Sequence, residues 1–155
     1  MYLFLTSSPC DDDVPAGAKL PCIFYEKNEF VENLRRCMKP NSRLLVIAAS
    51  PDDYELNDEM VDTFEKCFAW HALTVSQTKL LDNRNWRQAE KLVAGSDFVL
   101  LGGGHVPTEN VFFQKIGLKK LLEGYEGVIM GISAGTMNCA SIVYAQPEEE
   151  GESID

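Results

Sequence analysis

Histidine is scarce: the 155 residues contain two, His71 and His105. That limits metal chemistry, because imidazole is among the main ligands of protein-bound zinc and its relatives. The five cysteines, Cys10, Cys22, Cys37, Cys67 and Cys139, are odd in number, widely spaced and without a Cys-x-x-Cys pair. This argues against a disulfide framework or a zinc ribbon and for reduced thiols in a cytoplasm. No apolar run reaches the roughly 20 residues of a membrane span. The opening Met1-Tyr2-Leu3-Phe4-Leu5 lacks the basic leader and cleavage site of a signal peptide. Lys and Arg number 14 against 24 Asp and Glu, a net charge of -10. Such a chain repels nucleic acid and anionic membranes. Neither a Gly-x-x-x-x-Gly-Lys-Ser/Thr nor a Gly-x-Gly-x-x-Gly loop occurs, so the common phosphate and dinucleotide loops are missing. No metal and no cofactor is expected.

The remainder is an ordinary globular composition, 45% hydrophobic and 25% charged, of a length that suits one domain. Apolar runs alternate with segments of helical period. Strands are expected at 2–6, 43–49, 73–81, 98–101 and 128–132. Helices are expected at 28–38, from an Asn57 cap to Trp70, and at 86–93, 116–122 and 134–142, with a further short helix starting after Pro107. Several strands are continuously apolar, as in a parallel sheet covered by helices on both faces. The expected fold class is therefore α/β, a three-layer sandwich with a mostly parallel sheet, over a single domain at 1–145. Residues 146–155 read as an acidic tail or the start of a loop.

Ser133 follows an apolar strand in Gly131-Ile132-Ser133-Ala134-Gly135. A serine lifted clear of a sheet edge by a sharp strand-to-helix turn needs small residues two before and two after it. Gly131 and Gly135 meet that need, and the Ala134 amide would face the reacting carbonyl. The alternative is a glycine-bearing turn with no chemistry. A second element shifts the balance: Gly102-Gly103-Gly104 follows the preceding strand and can bring bare amides to an oxyanion. Its plain alternative is a tight turn. Ser50, the triple glycine and Ser133 would gather at the carboxyl edge of the sheet, where ligands of open α/β folds bind.

Leu100-Leu101-Gly102-Gly103-Gly104-His105 followed by Val128-Ile129-Met130-Gly131-Ile132-Ser133-Ala134-Gly135 resembles the dipeptidase E and cyanophycinase family of serine peptidases. The resemblance implies a fold of the class I glutamine amidotransferase type, with serine in place of cysteine. It implies Ser133 as nucleophile, and Ala134 with Gly103 or Gly104 as oxyanion hole. Its dipeptidase E branch cleaves dipeptides with an N-terminal aspartate. Two departures stand out. His105 follows the triple glycine where many members have asparagine. The family also takes its catalytic histidine and the acidic partner from chain after the nucleophile helix, and no histidine follows Ser133 here. The resemblance thus implies a shortened or partial chain, nearly inactive by itself. It also implies a sheet that ends on the strand at 128–132 with one edge unpaired, prone to instability or self-association.

Other residues carry weaker signals. His105 is a candidate for orienting substrate and, less so, for the general base; a turn-capping loop residue is the plain reading. Glu109 is a candidate for holding a substrate amine, against a simple first-turn glutamate. His71, at a helix end where a cation suits the dipole, reads as structural. Cys139 reads as core. Asp52, Asp53 and Tyr54 border the expected cleft, or are solvated. Asp11-Asp12-Asp13 lacks calcium-loop spacing. The expected function is hydrolysis of small peptides through an acyl-enzyme on Ser133. The rivals are an α/β-hydrolase esterase and an inactive homologue acting as an interaction module. The expected partner is a small peptide, with a second copy of the chain left open.

Overall fold

The computed structural model describes residues 1–11, 23–145 and 147. Five strands, β1 (Tyr2–Thr6), β2 (Ser42–Ile47), β3 (Val75–Leu81), β4 (Phe98–Leu101) and β5 (Val128–Ile132), form one sheet in the order β1-β5-β4-β2-β3. Every pairing is parallel. Six α-helices connect or follow them: α1 (Phe30–Cys37), α2 (Tyr54–Trp70), α3 (Ala89–Ala94), α4 (Val106–Ile116), α5 (Leu118–Leu121) and α6 (Ala134–Met137).

The unbroken apolar strands follow from two buried faces. On one face Leu44, Val46, Phe98, Leu100, Val128 and Met130 meet Leu34 of α1 and Phe64, Cys67 and Phe68 of α2. On the other, Leu45, Ile47, Val99, Leu101 and Ile129 meet α3, Phe112, Phe113 and Ile116 of α4, and Leu118 of α5. Successive residues of β2 and β4 therefore enter opposite cores, as the two-residue period of a strand demands.

The chain leaves β2 for β3 on one side and returns to β4 on the other. This puts a topological switch point between the carboxyl ends of β2 and β4, where open α/β sheets bind ligands. β5 sits next to β4, so the turn after it borders the same crevice.

The structure moves several expected boundaries. Asp53, not Asn57, caps α2: its carboxylate accepts the Leu56 N–H at 3.1 Å. Asn57 is buried one turn inside, and its amide donates to the Ser50 carbonyl. The helix expected at 116–122 is instead the end of α4 and a short α5, separated at Gly117, whose φ of 65° stops the first helix as a left-handed cap. The helix expected at 134–142 is one α-turn followed by turns. The strand at 128–132 is no edge: β5 lies between β1 and β4. β1 is the edge on that side, and Tyr2, Leu3 and Leu5 on it are about half exposed. The acidic tail, Pro147 apart, and Asp12 and Asp13 lie outside the described residues.

His71 ends α2 as a neutral ring, not a cation. Its Nε2 accepts the Phe24 N–H at 2.9 Å, and its Nδ1 lies 3.2 Å from Glu26. Burial holds the imidazole below its ordinary pKa, with the pull of Glu26 opposing. A depressed histidine supports the fold fully above its unfolded value of 6.5, and that support is lost as pH falls below it. His71→Phe keeps the stacking on Phe24 but orphans the Phe24 amide. We expect a loss of about 1–3 kcal/mol near neutral pH and weaker acid sensitivity, read from urea unfolding at several pH values.

Candidate active site

Ser133 stands one residue past β5 with φ 47° and ψ -108°, a conformation that a residue with a Cβ rarely adopts. Holding it costs on the order of 1–3 kcal/mol, which the surrounding contacts must supply. Those contacts can be named. The Ser133 amide donates to the Thr6 carbonyl at the end of β1 (2.9 Å). The Thr136 hydroxyl donates to that same carbonyl at 2.7 Å and accepts the Thr6 N–H at 3.0 Å. The Thr6 hydroxyl donates to the Gly131 carbonyl at 2.8 Å. On the other side the Gly135 amide donates to the Gly102 carbonyl at 3.1 Å. The turn is thus clamped between β1 and β4, and Ser133 itself is left exposed.

The flanking glycines are required by contact. A Cβ on Gly131 would lie 2.9 Å from the Thr136 backbone, and one on Gly135 would lie 2.6 Å from the Leu101 carbonyl oxygen. The triple glycine obeys the same rule. None of its residues has positive φ, so conformational freedom is not the reason for them. A Cβ on Gly103 would lie 3.3 Å from Ile132 Cγ2 and 3.5 Å from Ser133 Cβ; one on Gly104 would lie 2.8 Å from Ala49 Cβ. The loop therefore threads between the end of β2 and the serine. Gly103 and Gly104 are exposed. Among the described residues no hydrogen bond uses the N–H groups of Gly103, Gly104 or Ala134.

His105 occupies the position before α4 without a side-chain bond to the helix backbone, and its Nδ1 lies 2.8 Å from the Thr108 hydroxyl. Thr108 also lines an open groove with Ser50, Pro51, Asp52, Asp53, Tyr54 and Glu55. Asp52 and Asp53 border this groove but are both engaged, with Asn83 Nδ2 and with the cap of α2. Glu109 is not on the groove: it is fully buried, and its Oε2 accepts from Asn138 Nδ2 at 2.8 Å. Burial pushes its carboxyl up to about 7, the Asn138 hydrogen bond opposing. Cys139, expected in the core, is exposed, and its thiol donates to the Gly135 carbonyl. Among the described residues no side chain hydrogen-bonds to the Ser133 hydroxyl, and no cluster of three or more His, Cys, Asp or Glu could hold a metal ion.

Thr6, Thr136 and Asn138 escaped the sequence reading. Each is an unremarkable polar residue whose partner lies up to 130 positions away, and only the parallel pairing of β1 with β5 brings the threonines together. Compared with models of known protein families and with curated proteins, the chain matches none.

Gly135→Ala tests the clamp. The added methyl meets a backbone carbonyl that cannot turn away, so the turn must open. We expect a loss of about 2 kcal/mol or more, measured by denaturant unfolding, with faster hydrogen exchange at the Ser133 amide.

Proposed function

We propose that the chain carries the nucleophile and oxyanion elements of a serine hydrolase acting on small peptides, in the manner of the dipeptidase E and cyanophycinase family. The observation that carries this reading is the backbone of Ser133. A strained residue with its hydroxyl exposed at the carboxyl edge of a parallel sheet is the arrangement of a nucleophile elbow.

In this reading the Ser133 oxygen attacks the scissile carbonyl. The developing oxyanion accepts hydrogen bonds from Ala134 and from Gly103 or Gly104, whose amides are uncommitted. The amine leaves with a proton, and water then releases the acyl group. The resemblance to class I glutamine amidotransferases agrees with an all-parallel sheet between two helical layers. Aspartyl dipeptides are the substrate that the resemblance suggests.

The reaction also needs a base, since a serine hydroxyl is a weak nucleophile near neutrality. His71 is excluded from that role, because it is buried and both its nitrogens are engaged. His105 is the other histidine of the chain; it follows the glycine loop, and its Nδ1 meets the Thr108 hydroxyl.

Reaction with a fluorophosphonate is the direct test. A single adduct on Ser133, absent in Ser133→Ala with stability unchanged, is the expected result; no adduct even in the longest natural chain refutes the hydrolase reading and favours an interaction module. Gly104→Ala pushes the loop off Ala49 and should slow turnover by about 100-fold or more. Cleavage of an N-terminal-aspartate dipeptide against an aromatic ester separates peptidase from esterase. Loss of a full rate in His105→Ala would make His105 the base.

A further inference from the structure

We propose that Glu109 and Asn138 are the positioning pair of this site: together they hold the first turn of α4, and the glycine loop before it, at a set distance from the turn bearing Ser133 and Ala134. Its catalytic meaning rests on the hydrolase reading; its structural content does not.

Asn138 is tied to the nucleophile turn by its own backbone, whose N–H donates to the Ala134 carbonyl at 2.8 Å. Its side-chain amide reaches across to α4. Nδ2 donates to the Val106 carbonyl at 3.1 Å and to Glu109 Oε2 at 2.8 Å, while Oδ1 accepts from Asn110 Nδ2 at 3.0 Å. Val106 is two residues beyond Gly104. One amide therefore spans the two segments whose N–H groups must converge on an oxyanion, and a shift of about 1 Å in such a pair is costly.

Glu109 can accept from Asn138 in either protonation state, but only the acid does so without burying a charge. It is fully buried, and its second oxygen, Oε1, has no partner. A carboxylic acid satisfies Asn138 through its carbonyl oxygen and carries no charge. A carboxylate would leave a buried charge held by one hydrogen bond. The titratable groups on the elements around it are His105 at the cap of α4, Lys115 on α4, Lys119 and Lys120 on α5, and Cys139 after α6. Among the described residues none forms an ion pair with Glu109, while the Cys139 thiol is raised by burial and then by the charge of Glu109. The carboxyl is shifted up to about 7 from 4.5. A folded carboxyl raised in this way contributes stability below 4.5, and the contribution is lost as pH climbs through about 7.

The experiment compares the full chain with Glu109→Gln, which is neutral at every pH and keeps the acceptor, and with Glu109→Ala. Two readouts are followed from about pH 5 to about pH 9: the rate of Ser133 phosphonylation, and exchange protection of the hydrogen-bonded Gly135 and Asn138 amides. Glu109→Gln should match the wild type at the acid end and exceed it by about threefold or more at the basic end, in rate and in protection, while Glu109→Ala should be slower by about tenfold throughout. A Gln-to-wild-type ratio of one across the range, or wild-type rates in Glu109→Ala, overturns the proposal. If no form is phosphonylated, the hydrolase reading fails, and exchange alone decides. Protection lost at high pH in the wild type but kept in Glu109→Gln then upholds the pair; equal, pH-independent protection overturns it.

Discussion

The site depends on one close approach: the backbone at Gly135 against the carbonyls that end β4. There is no room for a methyl group between Gly135 and the Leu101 oxygen. The Gly135 amide uses that proximity to bond the Gly102 carbonyl. This contact accompanies a reversal of the chain within one residue of β5, where Ser133 takes its positive φ. Without it the chain could leave the sheet in an ordinary extended turn, and the serine would have no reason to stand clear. The strain at Ser133 is offset by Thr6 and Thr136, whose reciprocal bonds tie the turn to β1. Strain at a site is a clue to function only when its supporting contacts can be named, and here they can.

The sheet order makes this approach available. With β5 between β1 and β4, the turn after β5 has a strand end on each side to bond to. The loops after β2, β4 and β5 then meet at one edge, with the triple glycine as the thin layer between Ala49 and Ser133. At Gly104 the Ala49 methyl already occupies the space a Cβ would take, and at Gly102 and Gly103 a Cβ would fit only if its neighbours gave way by a few tenths of an ångström.

Two buried titratable groups sit on opposite sides of the sheet and oppose each other in pH. His71 is neutral so that it can accept the Phe24 amide, and acid weakens it. Glu109 is most at ease as a neutral acid, and alkali weakens it. In both, burial is the leading cause of the shift, because the low-dielectric interior disfavours whichever form is charged. The molecule is therefore squeezed from both ends of the pH scale through two buried groups.

Much of the fold was legible in the residues. Continuous apolar runs such as Leu44-Leu45-Val46-Ile47 require burial on both faces, and that alone implies a parallel sheet between helices. Gly131 and Gly135 around Ser133, with the triple glycine upstream, signalled the turn and the loop. What sequence could not carry was any feature that depends on a partner far away in the chain. Asn57 has the chemistry of a cap, yet Asp53 takes that place, since Asn57 finds a closer bond at Ser50. The strand at 128–132 reads as the last in sequence, yet it is internal because β1 pairs outside it. Glu109 reads as a first-turn glutamate or as the holder of a substrate amine; the packing of α4 against the turn after Ser133 buries it and gives it Asn138. Local composition determined which segments are strands and helices and where sharp turns are needed, because those follow from period and bulk. Strand order, burial of polar groups and the protonation states that burial imposes were decided only by tertiary structure, because each is set by what lies across the contact rather than along the chain.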